Sequence, residues 1–576
     1  MQIKNIIIHN FRTIKHQNFE IEKYSILIGE NNAGKSNVIR ALRVFYEEMK
    51  YDIKHDFPKF SVDDDESRIE IEFSITDEEK EWLKTEYQTK DNVLKVRKIL
   101  KWLMTQSGQS NIYWYENWNL STNLFYGAKN ISAAKLWKVI YIPELSKIDD
   151  NMKMSWPSPL REMINFVIKK VIKWSPSFDG LEKNFEDFNK NFKREEAVDG
   201  NSITTIENDI NWELWNRWVK FWLNINPIQV DDMVKNLVST SIKDLNLTKW
   251  SNEVSIDSFW QWLQRHLIYT LIKLSAKYQD ISTKKTKDFN PDFTFILFEE
   301  PELFLHPAQQ DKMNHNLRTL SKEKWQQIMI TTHCPIFISK NIDDITSLLR
   351  LQKYGPETKI SQIKNTDIQN LFDDNNSFFV YFSELLADTT IQQNIKNEII
   401  TKNLWSRDLH DIGKNLDKEQ LKYLLWLDAE RTACFFAKHV IICEWPSEKI
   451  FIDYLINTTW TEFKDKNIYI IDAWWKFAIH RYMNLFWGLG ISHSVLMDKD
   501  NSLLHDLINN FIDWKKNPST KLIHKFNTDL EWFLWITQAI RKDQKPMNVL
   551  YHYQHDLIDE QKIIDFRAII ESLLEV

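Results

Sequence analysis

A glycine-rich loop near the N-terminus constrains the fold of this chain more than any other feature. Residues 29–36 read GENNAGKS and match the pattern G-x-x-x-x-G-K-[ST] without a mismatch. The apolar run 24–28 precedes the loop, and apolar residues at helical spacing follow it from Ser36 onward. A strand, such a loop and a helix together form a P-loop, whose backbone N–H groups surround a phosphate. The sequence therefore predicts an α/β nucleotide-binding domain.

The residue types in this loop suit ATP bound with Mg²⁺. Gly29 and Gly34 let the backbone wrap the phosphates, and Lys35 brings a positive charge to them. The hydroxyl of Ser36 is placed for the metal ion, and the N-terminus of the helix adds its dipole. The alternative, a chance match on a surface turn, is disfavoured by the strand and helix on either side.

Two further apolar runs end in residues suited to ATP hydrolysis. Residues 295–298 are followed by Glu299 and Glu300, and residues 328–332 by His333. Because ligands gather at the carboxyl ends of parallel strands, Glu299 is predicted to assist Mg²⁺ and Glu300 to polarise the attacking water. His333 is predicted to sense the γ-phosphate. The structural alternatives are an exposed acidic turn and a buried histidine without a catalytic role.

Acidic residues in the last third of the chain follow a similar pattern. The apolar runs 440–443 and 494–497 each end in an acidic residue. The candidate metal ligands are Glu444, Glu448, Asp498, Asp500 and Glu531. Carboxylates without Cys or His partners favour Mg²⁺ or Mn²⁺. Two such ions can hold the attacking and leaving oxygens of a phosphodiester, which predicts a nuclease site.

A lysine near these acids would complete the site by neutralising charge on the scissile phosphate. Lys545 is the preferred candidate and Lys542 the runner-up. The alternative is that the five acids are unrelated surface residues, and their shared position at strand ends argues against it.

Composition excludes several classes of protein. With 43% hydrophobic residues, a net charge of −7 and no apolar stretch near the ~18 residues of a spanning helix, the chain is neither disordered nor membrane-embedded. Its three cysteines form no CxxC pair, so no zinc ribbon is expected. The N-terminus lacks signal-peptide features, which predicts a cytoplasmic protein. Because the total charge is acidic, any contact with DNA must use a local basic surface.

The N-terminal motifs resemble the ATPase superfamily of ABC, SMC, Rad50 and RecF proteins. NFR at residues 10–12 matches its N-terminal element, and ELFLHP at residues 302–307 matches its dimer-facing loop. The pair Glu299-Glu300 replaces the usual Asp-Glu, a variant familiar in the overcoming-lysogenization-defect (OLD) nucleases. The C-terminal pattern of a strand-end glutamate and Asp-x-Asp resembles a Toprim domain. The whole chain resembles the OLD family, and most of all its branch from the Gabija anti-phage systems.

This resemblance implies specific roles for the candidate residues. Arg12 and Asn32 would join the phosphate-binding loop, and one Mg²⁺ would accompany ATP. In the Toprim site, Glu444 and Glu448 would hold one Mg²⁺ or Mn²⁺ ion. Asp498, Asp500 and Glu531 would hold a second ion. The family also implies DNA as substrate, ATP sandwiched between two heads, a dimer or tetramer, a separate UvrD-like helicase as a partner, and no membrane partner.

The expected architecture is an ABC/SMC-type ATPase head with an inserted helical segment, followed by a C-terminal Toprim α/β domain. Strand runs that alternate with helical segments predict mostly parallel sheets. The expected domains are residues 1–165 and 246–375 for the two parts of the ATPase, 166–245 for a helical dimerisation insertion, 376–432 for a helical connector and 433–576 for Toprim. Two other functions stay open: a RecF-like DNA-binding ATPase that does not cut, and an oligomeric scaffold.

The chain contains 10 glycines and 25 tryptophans, whereas average usage of about 7% predicts ~40 glycines. The excess tryptophans fall where the family patterns have glycine. The clearest positions are Trp260, Trp262, Trp445, Trp474 and Trp475, with Trp137, Trp156 and Trp535 as further candidates. Trp260 and Trp262 lie in residues 258–266, the expected ATPase signature. Glycine serves at such positions because φ is positive or because backbone approaches a phosphate or metal.

We hypothesise that many of these tryptophans arise from decoding. The codon UGA differs from the glycine codon GGA by one base, and some bacterial lineages read UGA as glycine. The alternative is a decayed or truly tryptophan-rich enzyme, which the intact P-loop and carboxylates disfavour. A chain with tryptophan at these positions is expected to lose nuclease activity and head dimerisation.

Overall fold

The computed structural model of the chain describes most of its α/β part. The described residues are 1–83, 85–89, 91–101, 111–116, 119–125, 138–144, 188, 191–192, 195, 202–214, 242–243, 253–254, 270, 294–323, 326–338, 345–402, 404–405, 429–500 and 502–574. The chain forms two compact units. One unit comprises Met1–Glu144 and Asp288–Val576, and the other comprises Leu145–Lys287.

The first sheet of the larger unit is antiparallel. Its strands are β1 (Gln2–Phe11), β2 (Ile14–Glu20), β4 (Ser67–Ser74), β5 (Val93–Lys101), β6 (Ile112–Glu116) and β7 (Asn119–Leu124). They are ordered β2-β1-β4-β5-β6-β7. This sheet departs from the predicted mostly parallel arrangement. Short turns join β1 to β2 and β6 to β7, and such turns connect antiparallel neighbours.

The second sheet carries the glycine-rich loop. Its strands are β3 (Tyr24–Gly29), β8 (Lys138–Ile142), β11 (Thr294–Glu299), β12 (Gln326–Thr331), β13 (Leu348–Tyr354) and β14 (Glu357–Ser361). They are ordered β14-β13-β3-β12-β11-β8, and every pair except β13–β14 is parallel. The carboxyl ends of β3, β11 and β12 therefore meet at one edge, where Gly29, Glu299 and Thr331 lie.

A third, four-stranded sheet belongs to the C-terminal domain. Its strands are β15 (His439–Cys443), β16 (Ile468–Asp472), β17 (Ser492–Asp498) and β18 (Thr520–Phe526). They are ordered β16-β15-β17-β18 and are all parallel, as predicted for an alternating α/β segment. The buried apolar residues of β15 and β17 give the sheet a core on both faces.

Helices cover these sheets. In the larger unit they are α1 (Lys35–Phe45), α2 (Ile53–Asp56), α3 (Asp77–Trp82), α5 (Pro307–Ser321), α6 (Asn365–Ala387), α7 (Gln393–Thr401), α8 (Ala429–Thr432), α9 (Pro446–Thr458), α10 (Ile479–Gly488), α11 (Leu503–Trp514), α12 (Leu530–Phe533), α13 (Lys545–Gln554) and α14 (Glu560–Leu574). Within the described ranges, every helix is too short or too polar to cross a membrane.

The smaller unit contains α4 (Ile203–Leu214) and a short antiparallel pair, β9 (Ile242–Lys243) and β10 (Glu253–Val254). The predicted insertion 166–245 falls inside this unit, as do residues 246–287, which belong to the predicted ATPase segment 246–375. The predicted signature at 258–266 lies outside the described residues. The role of the insertion in dimerisation stays a prediction.

Candidate functional site

The two loop glycines hold conformations and contacts that a side chain would not tolerate. Gly29 has φ +141°, and a Cβ there would lie 2.2 Å from the carbonyl oxygen of Leu351. Gly34 has φ +107°, and its Cβ would lie 2.4 Å from Thr358 Oγ1. Close packing of the loop against β13 and β14 therefore requires glycine at both positions.

Lys35 turns its ammonium back onto the loop that precedes it. Its Nζ donates to the carbonyl oxygens of Gly29, at 2.9 Å, and Glu30, at 3.0 Å. Burial lowers the pKa of Lys35 to about 8, although the nearby carboxylates of Glu300 and Glu302 act in the opposite direction. The ammonium is thus desolvated before a phosphate reaches it, which strengthens its attraction for an anion.

A cavity of about 210 Å³ opens over this loop. It is lined by Asn31, Asn32, Gly34, Lys35, Ser36, Asn37, Glu144, Glu299, Glu300, Thr331 and His333. The structure thus brings seven of the predicted ATP-site residues to one cavity, Gly29 and Arg12 being the two that do not line it. Backbone N–H groups at a helix N-terminus, a lysine, a serine and two carboxylates suit a nucleotide phosphate with a metal ion.

The catalytic candidates of this cavity are held by their neighbours. The Tyr141 hydroxyl donates to Glu299 Oε2 at 2.6 Å. Glu300 has φ +44°, and its Oε1 lies 3.4 Å from His333 Nε2. Burial, reinforced by the charge of Lys35, lowers the pKa of His333 to about 4, so the ring is neutral at pH 7. A neutral imidazole can accept or donate a hydrogen bond near the phosphate.

Glu302 belongs to the predicted dimer-facing loop, and its contacts with the ATP site were not predicted. Its buried Oε1 accepts hydrogen bonds from Thr332 Oγ1, at 2.6 Å, and from the backbone N–H of His333, at 2.8 Å. These contacts tie the turn after β11 to the end of β12. Tyr141 was also missed, since a tyrosine in a short apolar run carries no signal of its partner.

Arg12 contacts an acidic residue behind the cavity wall. Its Nε donates to Asp56 Oδ1 at 2.9 Å, and its Nη1 donates to Asn37 Oδ1 at 3.2 Å. Arg40 donates to the same buried carboxylate. Arg12 thus touches the cavity through Asn37, and its predicted contact with a phosphate stays a prediction.

The C-terminal candidates come together at the carboxyl edge of the third sheet. Glu444 follows β15, Glu448 lies in the first turn of α9, Asp498 ends β17, and Glu531 lies in α12. All four are at most 3% exposed. The backbone N–H of Asp498 donates to Glu444 Oε2 at 3.1 Å, which joins two of the predicted ligands directly.

Burial raises the pKa values of three of these acids, because nearby positive charge does not fully compensate the loss of water. Burial raises the pKa of Glu448 to about 8, and the charge of Glu444 contributes. Burial and the neighbouring acids Glu448 and Glu444 raise the pKa of Asp498 well above its usual range. Burial also raises the pKa of Glu444, although Lys476 opposes this. Groups that resist ionisation in this way gain most from a cation placed among them.

Lys476 lies at the centre of the cluster and was not predicted. Its Nζ donates to the carbonyl oxygen of Asp498 at 2.5 Å and to Asp500 Oδ2 at 2.6 Å, and lies 3.5 Å from Glu444 Oε2. His505 Nδ1 lies 3.0 Å from the same oxygen of Asp500. Although burial opposes it, hydrogen bonds from His505 and Lys476 lower the pKa of Asp500.

Lys545 borders the same acids from the other side. Its Nζ donates to Asp529 Oδ2 at 3.2 Å and lies 3.6 Å from Glu531 Oε2. Burial opposes it, but Asp529, Glu531 and Asp498 together raise the pKa of Lys545, which keeps it charged. The side chain of the runner-up, Lys542, lies outside the described residues.

The chemistry of this cluster fits a hard divalent cation. Among the described residues, no three acidic, histidine or cysteine side chains are close enough as they stand to hold one ion. Yet Asp498 Oδ1 is buried, and no group in the described part of the chain donates a hydrogen bond to it. An orphaned carboxylate oxygen amid other buried carboxylates is an electrostatic arrangement that a cation would stabilise.

Two of the tryptophans at expected glycine positions adopt left-handed backbone conformations. Trp474 has φ +63° and Trp535 has φ +57°, and both indoles are exposed. Trp445 and Trp475 have ordinary extended backbones, and their ring centroids lie 6.3 Å apart beside the acidic cluster. The remaining candidates, Trp137, Trp156, Trp260 and Trp262, lie outside the described residues. Backbone conformation thus favours glycine at two positions.

Comparisons with known proteins agree with this architecture. Residues 1–256 and 263–338 match the AAA ATPase domain family, and residues 435–500 match the TOPRIM domain of overcoming lysogenization defect protein-like proteins. The first match covers more than half of the chain.

Two relatives and one solved structure illustrate the likeness. The chain is 22% identical over 428 residues to the Old nuclease of Escherichia phage P2, covering 69% of each protein. It is 20% identical over 543 residues to the endonuclease GajA of Bacillus cereus (strain VD045), covering 87% of this chain and 75% of GajA. A solved SMC head bound to the C-winged helix domain of ScpA is a distant neighbour, with a TM-score of 0.37, 13% identity, and coverage of 64% of this chain and all of that one.

The two family matches and the two named relatives confirm the resemblance and the predicted α/β fold class. The chain belongs to the AAA ATPase family and, with its C-terminal Toprim domain, is an OLD-family ATPase–Toprim nuclease.

Proposed function

We propose that this protein is an ATP-binding, divalent-metal-dependent DNA endonuclease that nicks or cleaves double-stranded DNA at its Toprim site. The observation that supports this best is the contact between Glu444 and Asp498. Two acids from distant stretches of the chain are buried there side by side, with the backbone N–H of Asp498 donating to the carboxylate of Glu444. A stable fold does not favour such an arrangement unless a cation or a substrate compensates it.

The proposed metal ligands are those that the sequence predicted. Glu444 and Glu448 would hold one Mg²⁺ or Mn²⁺ ion, and Asp498, Asp500 and Glu531 would hold the other. Such ions, when bound, polarise a phosphodiester and stabilise the attacking and leaving oxygens. The chain itself orients the acids on strand ends and in short helices and excludes water from them.

Lys545 is the proposed catalytic lysine. It remains charged beside Asp529 and Glu531 at the border of the cluster, where a DNA phosphate can reach it. Its ammonium would neutralise charge that develops on the scissile phosphate.

In the ATPase site, Lys35, Asn32 and the backbone at Gly29 and Gly34 are proposed to bind the phosphates of ATP, with Arg12 behind them. Ser36 and Glu299 would hold a third metal ion. Glu300 would polarise the attacking water, and the neutral ring of His333 would contact the γ-phosphate.

The two sites are proposed to communicate. Asn467 of the Toprim domain donates to the side chain of Glu30, a residue of the P-loop, at 2.9 Å. Since Lys35 Nζ binds the carbonyl oxygen of Glu30, a nucleotide that pulls on Lys35 also acts on this contact. We propose that ATP thereby biases head association and access of DNA to the Toprim site.

The names of the relatives, a nuclease and an endonuclease, support DNA cleavage. The resemblance to Gabija proteins further supports a role in anti-phage defence in the cytoplasm. It also supports self-association as a dimer or tetramer and a UvrD-like helicase as partner. The alternatives are a DNA-binding ATPase of the RecF kind and a scaffold, neither of which needs the buried acids.

A plasmid-nicking assay with Mg²⁺ or Mn²⁺ tests the proposal. Asp498→Ala should abolish cleavage, whereas Asp465→Ala, which removes an exposed acid of the same domain, should not. Both variants are to be tested in the chain with tryptophan at positions 445, 474 and 475 and in the chain with glycine at these positions. Cleavage by Asp498→Ala at the parental rate would contradict the proposal. ATP-dependent DNA binding without cleavage in any form would favour the RecF-like alternative, and dimerisation alone would favour the scaffold.

A further inference from the structure

Lys476 is a buried lysine without a role in the mechanism above. It begins a 3₁₀ turn, Lys476–Ala478, after β16 and follows Trp474, whose φ is positive, and Trp475, whose backbone is extended. Only 3% of the residue is exposed, and an isolated ammonium so far from water would be unstable. Its position therefore depends on the acceptors around it.

Those acceptors come from candidate metal ligands. Lys476 Nζ contacts the carbonyl oxygen of Asp498, Asp500 Oδ2 and Glu444 Oε2, at 2.5, 2.6 and 3.5 Å. These oxygens come from the ends of two neighbouring parallel strands, β15 and β17. An ammonium with three donors placed among hard oxygen ligands occupies the kind of position that a small cation takes.

The two lysines of the site differ in what they face. Lys545 pairs with Asp529 and Glu531 at the border, and a substrate phosphate can reach it. Lys476 is enclosed by the ligands themselves and shares the Oδ2 atom of Asp500 with His505. Like charges repel at short range, so an ammonium in this position and a divalent ion on the same oxygens oppose each other.

We propose that Lys476 is a positioning residue that serves as an internal counter-ion of the Toprim site. Its ammonium holds Glu444 and Asp500 beside Asp498, and it withdraws from these oxygens when a divalent ion binds. Lys476 thereby lowers the metal affinity and keeps the acidic cluster folded at low metal concentration. This inference rests on the proposed metal site.

The test measures Mn²⁺ binding by calorimetry and thermal unfolding with Mn²⁺ or with a chelator, in the absence of DNA. Lys476→Met should bind Mn²⁺ with a Kd about tenfold lower than the parent chain, which corresponds to one lost competing interaction. Its Tm in chelator should fall by several degrees, and Mn²⁺ should restore more of its stability than in the parent. Lys499→Met, which alters an exposed lysine next to Asp498, should match the parent in both measurements.

An equal or higher Kd for Lys476→Met would overturn the inference. If Lys476→Met does not fold, lysine labelling followed by mass spectrometry gives the answer in the parent chain. Labelling of Lys476 should rise when Mn²⁺ is added, and unchanged labelling would overturn the inference. Asp498→Asn separates this from the proposed function: if the parent chain and Asp498→Asn bind Mn²⁺ equally, the metal site itself is misassigned.

Discussion

Trp474 and Trp535 place a Cβ in a backbone region that tryptophan avoids. A left-handed conformation costs a residue with a side chain about 1–2 kcal/mol, and neither indole recovers this by burial because both are mostly exposed. The family pattern had already marked both positions as glycine. At these two residues, the inference from composition agrees with the φ angle of the structure.

Replacing Trp474 or Trp535 by glycine should therefore stabilise the protein by about 1 kcal/mol each, because the backbone strain is removed. Urea unfolding of the single variants measures the change in midpoint. As a matched control, Trp460→Gly should destabilise by about 3–5 kcal/mol, since Trp460 is buried in the Toprim core. A loss of stability in both test variants would contradict the decoding hypothesis, as would UGG codons for Trp445, Trp474 and Trp475 in the gene.

Trp445→Gly is the substitution expected to restore nuclease activity first. Trp445 precedes α9, its backbone N–H donates to Glu448 Oε2, and its ring stands near that of Trp475 beside the acids. Removal of the indole should open the approach to Glu444 and Glu448. Plasmid cleavage by the parent chain and by Trp445→Gly measures the gain in nuclease activity. Equal activity in the two would show that the loop does not need glycine.

Glu444 and Asp498 were predictable from sequence because each stands at the end of an apolar strand, whereas Glu448 and Glu531 lie in helices and were named from the family resemblance. The roles of Lys476, Glu302 and Tyr141 were not predicted. Their contacts depend on which strands lie side by side, and the sequence around a single residue does not reveal which strands are neighbours. Arg12 was named from its sequence motif, but its hydrogen-bond partner Asp56 was not predicted.

Strand β13 connects the ATPase sheet to the Toprim domain. It pairs with β3, the strand that enters the P-loop, and carries Arg350 opposite Ile28. The Arg350 side chain is buried and donates to the carbonyl oxygens of Phe435, Ala437 and Gly490, at 3.1, 2.8 and 3.0 Å. One side chain thus satisfies three backbone acceptors of the other domain.

Arg350→Met should destabilise the protein by about 3–5 kcal/mol, because it leaves these buried carbonyl groups without donors. Chemical unfolding should also become less cooperative, with the two domains separating in the transition. Arg541→Ala removes an exposed arginine that pairs with Asp543 and should change the stability by less than about 0.5 kcal/mol. Equal midpoints for the two variants would show that Arg350 does not hold the domains together.

At the level of elements, apolar runs predicted β3, β11, β12, β15 and β17, whereas β13, β14 and β18 were not predicted. The antiparallel arrangement of β4 to β7 was missed because alternation predicts a strand and not its neighbour. The second unit begins at Leu145 and ends at Lys287, wider than the predicted insertion. Helical spacing within residues 166–245 marked the middle of that unit, and its ends carry no comparable pattern.

Three buried histidines should each contribute stability that is lost in mild acid, in opposition to the buried acids of the Toprim site, whose raised pKa values favour the folded state as the pH falls. Burial lowers the pKa of His439 and of His493 to about 4 and that of His480 to about 3. Since these folded-state values lie below the unfolded value near 6.5, the neutral rings contribute stability above pH 6.5 that is lost as pH falls towards 4.

Urea unfolding at pH 7 and pH 5 measures this loss. In His493→Gln the difference in unfolding free energy between the two pH values should shrink by about 2 kcal/mol, because one buried titrating ring is gone. Glutamine can keep a hydrogen bond to Thr520, which the ring now makes at 2.8 Å. An unchanged pH dependence would contradict neutral burial of His493.

The three hydrogen bonds from Arg350 to the Toprim domain have an evolutionary consequence. If a lineage loses the C-terminal third, the buried guanidinium of Arg350 loses its acceptors in the nucleotide-binding sheet. If a lineage acquires a different nuclease domain, that domain must offer three backbone carbonyl groups to Arg350 at the same place. Recombination should therefore transmit the two modules as a pair, with position 350 changing identity only in descendants that have become single-module proteins.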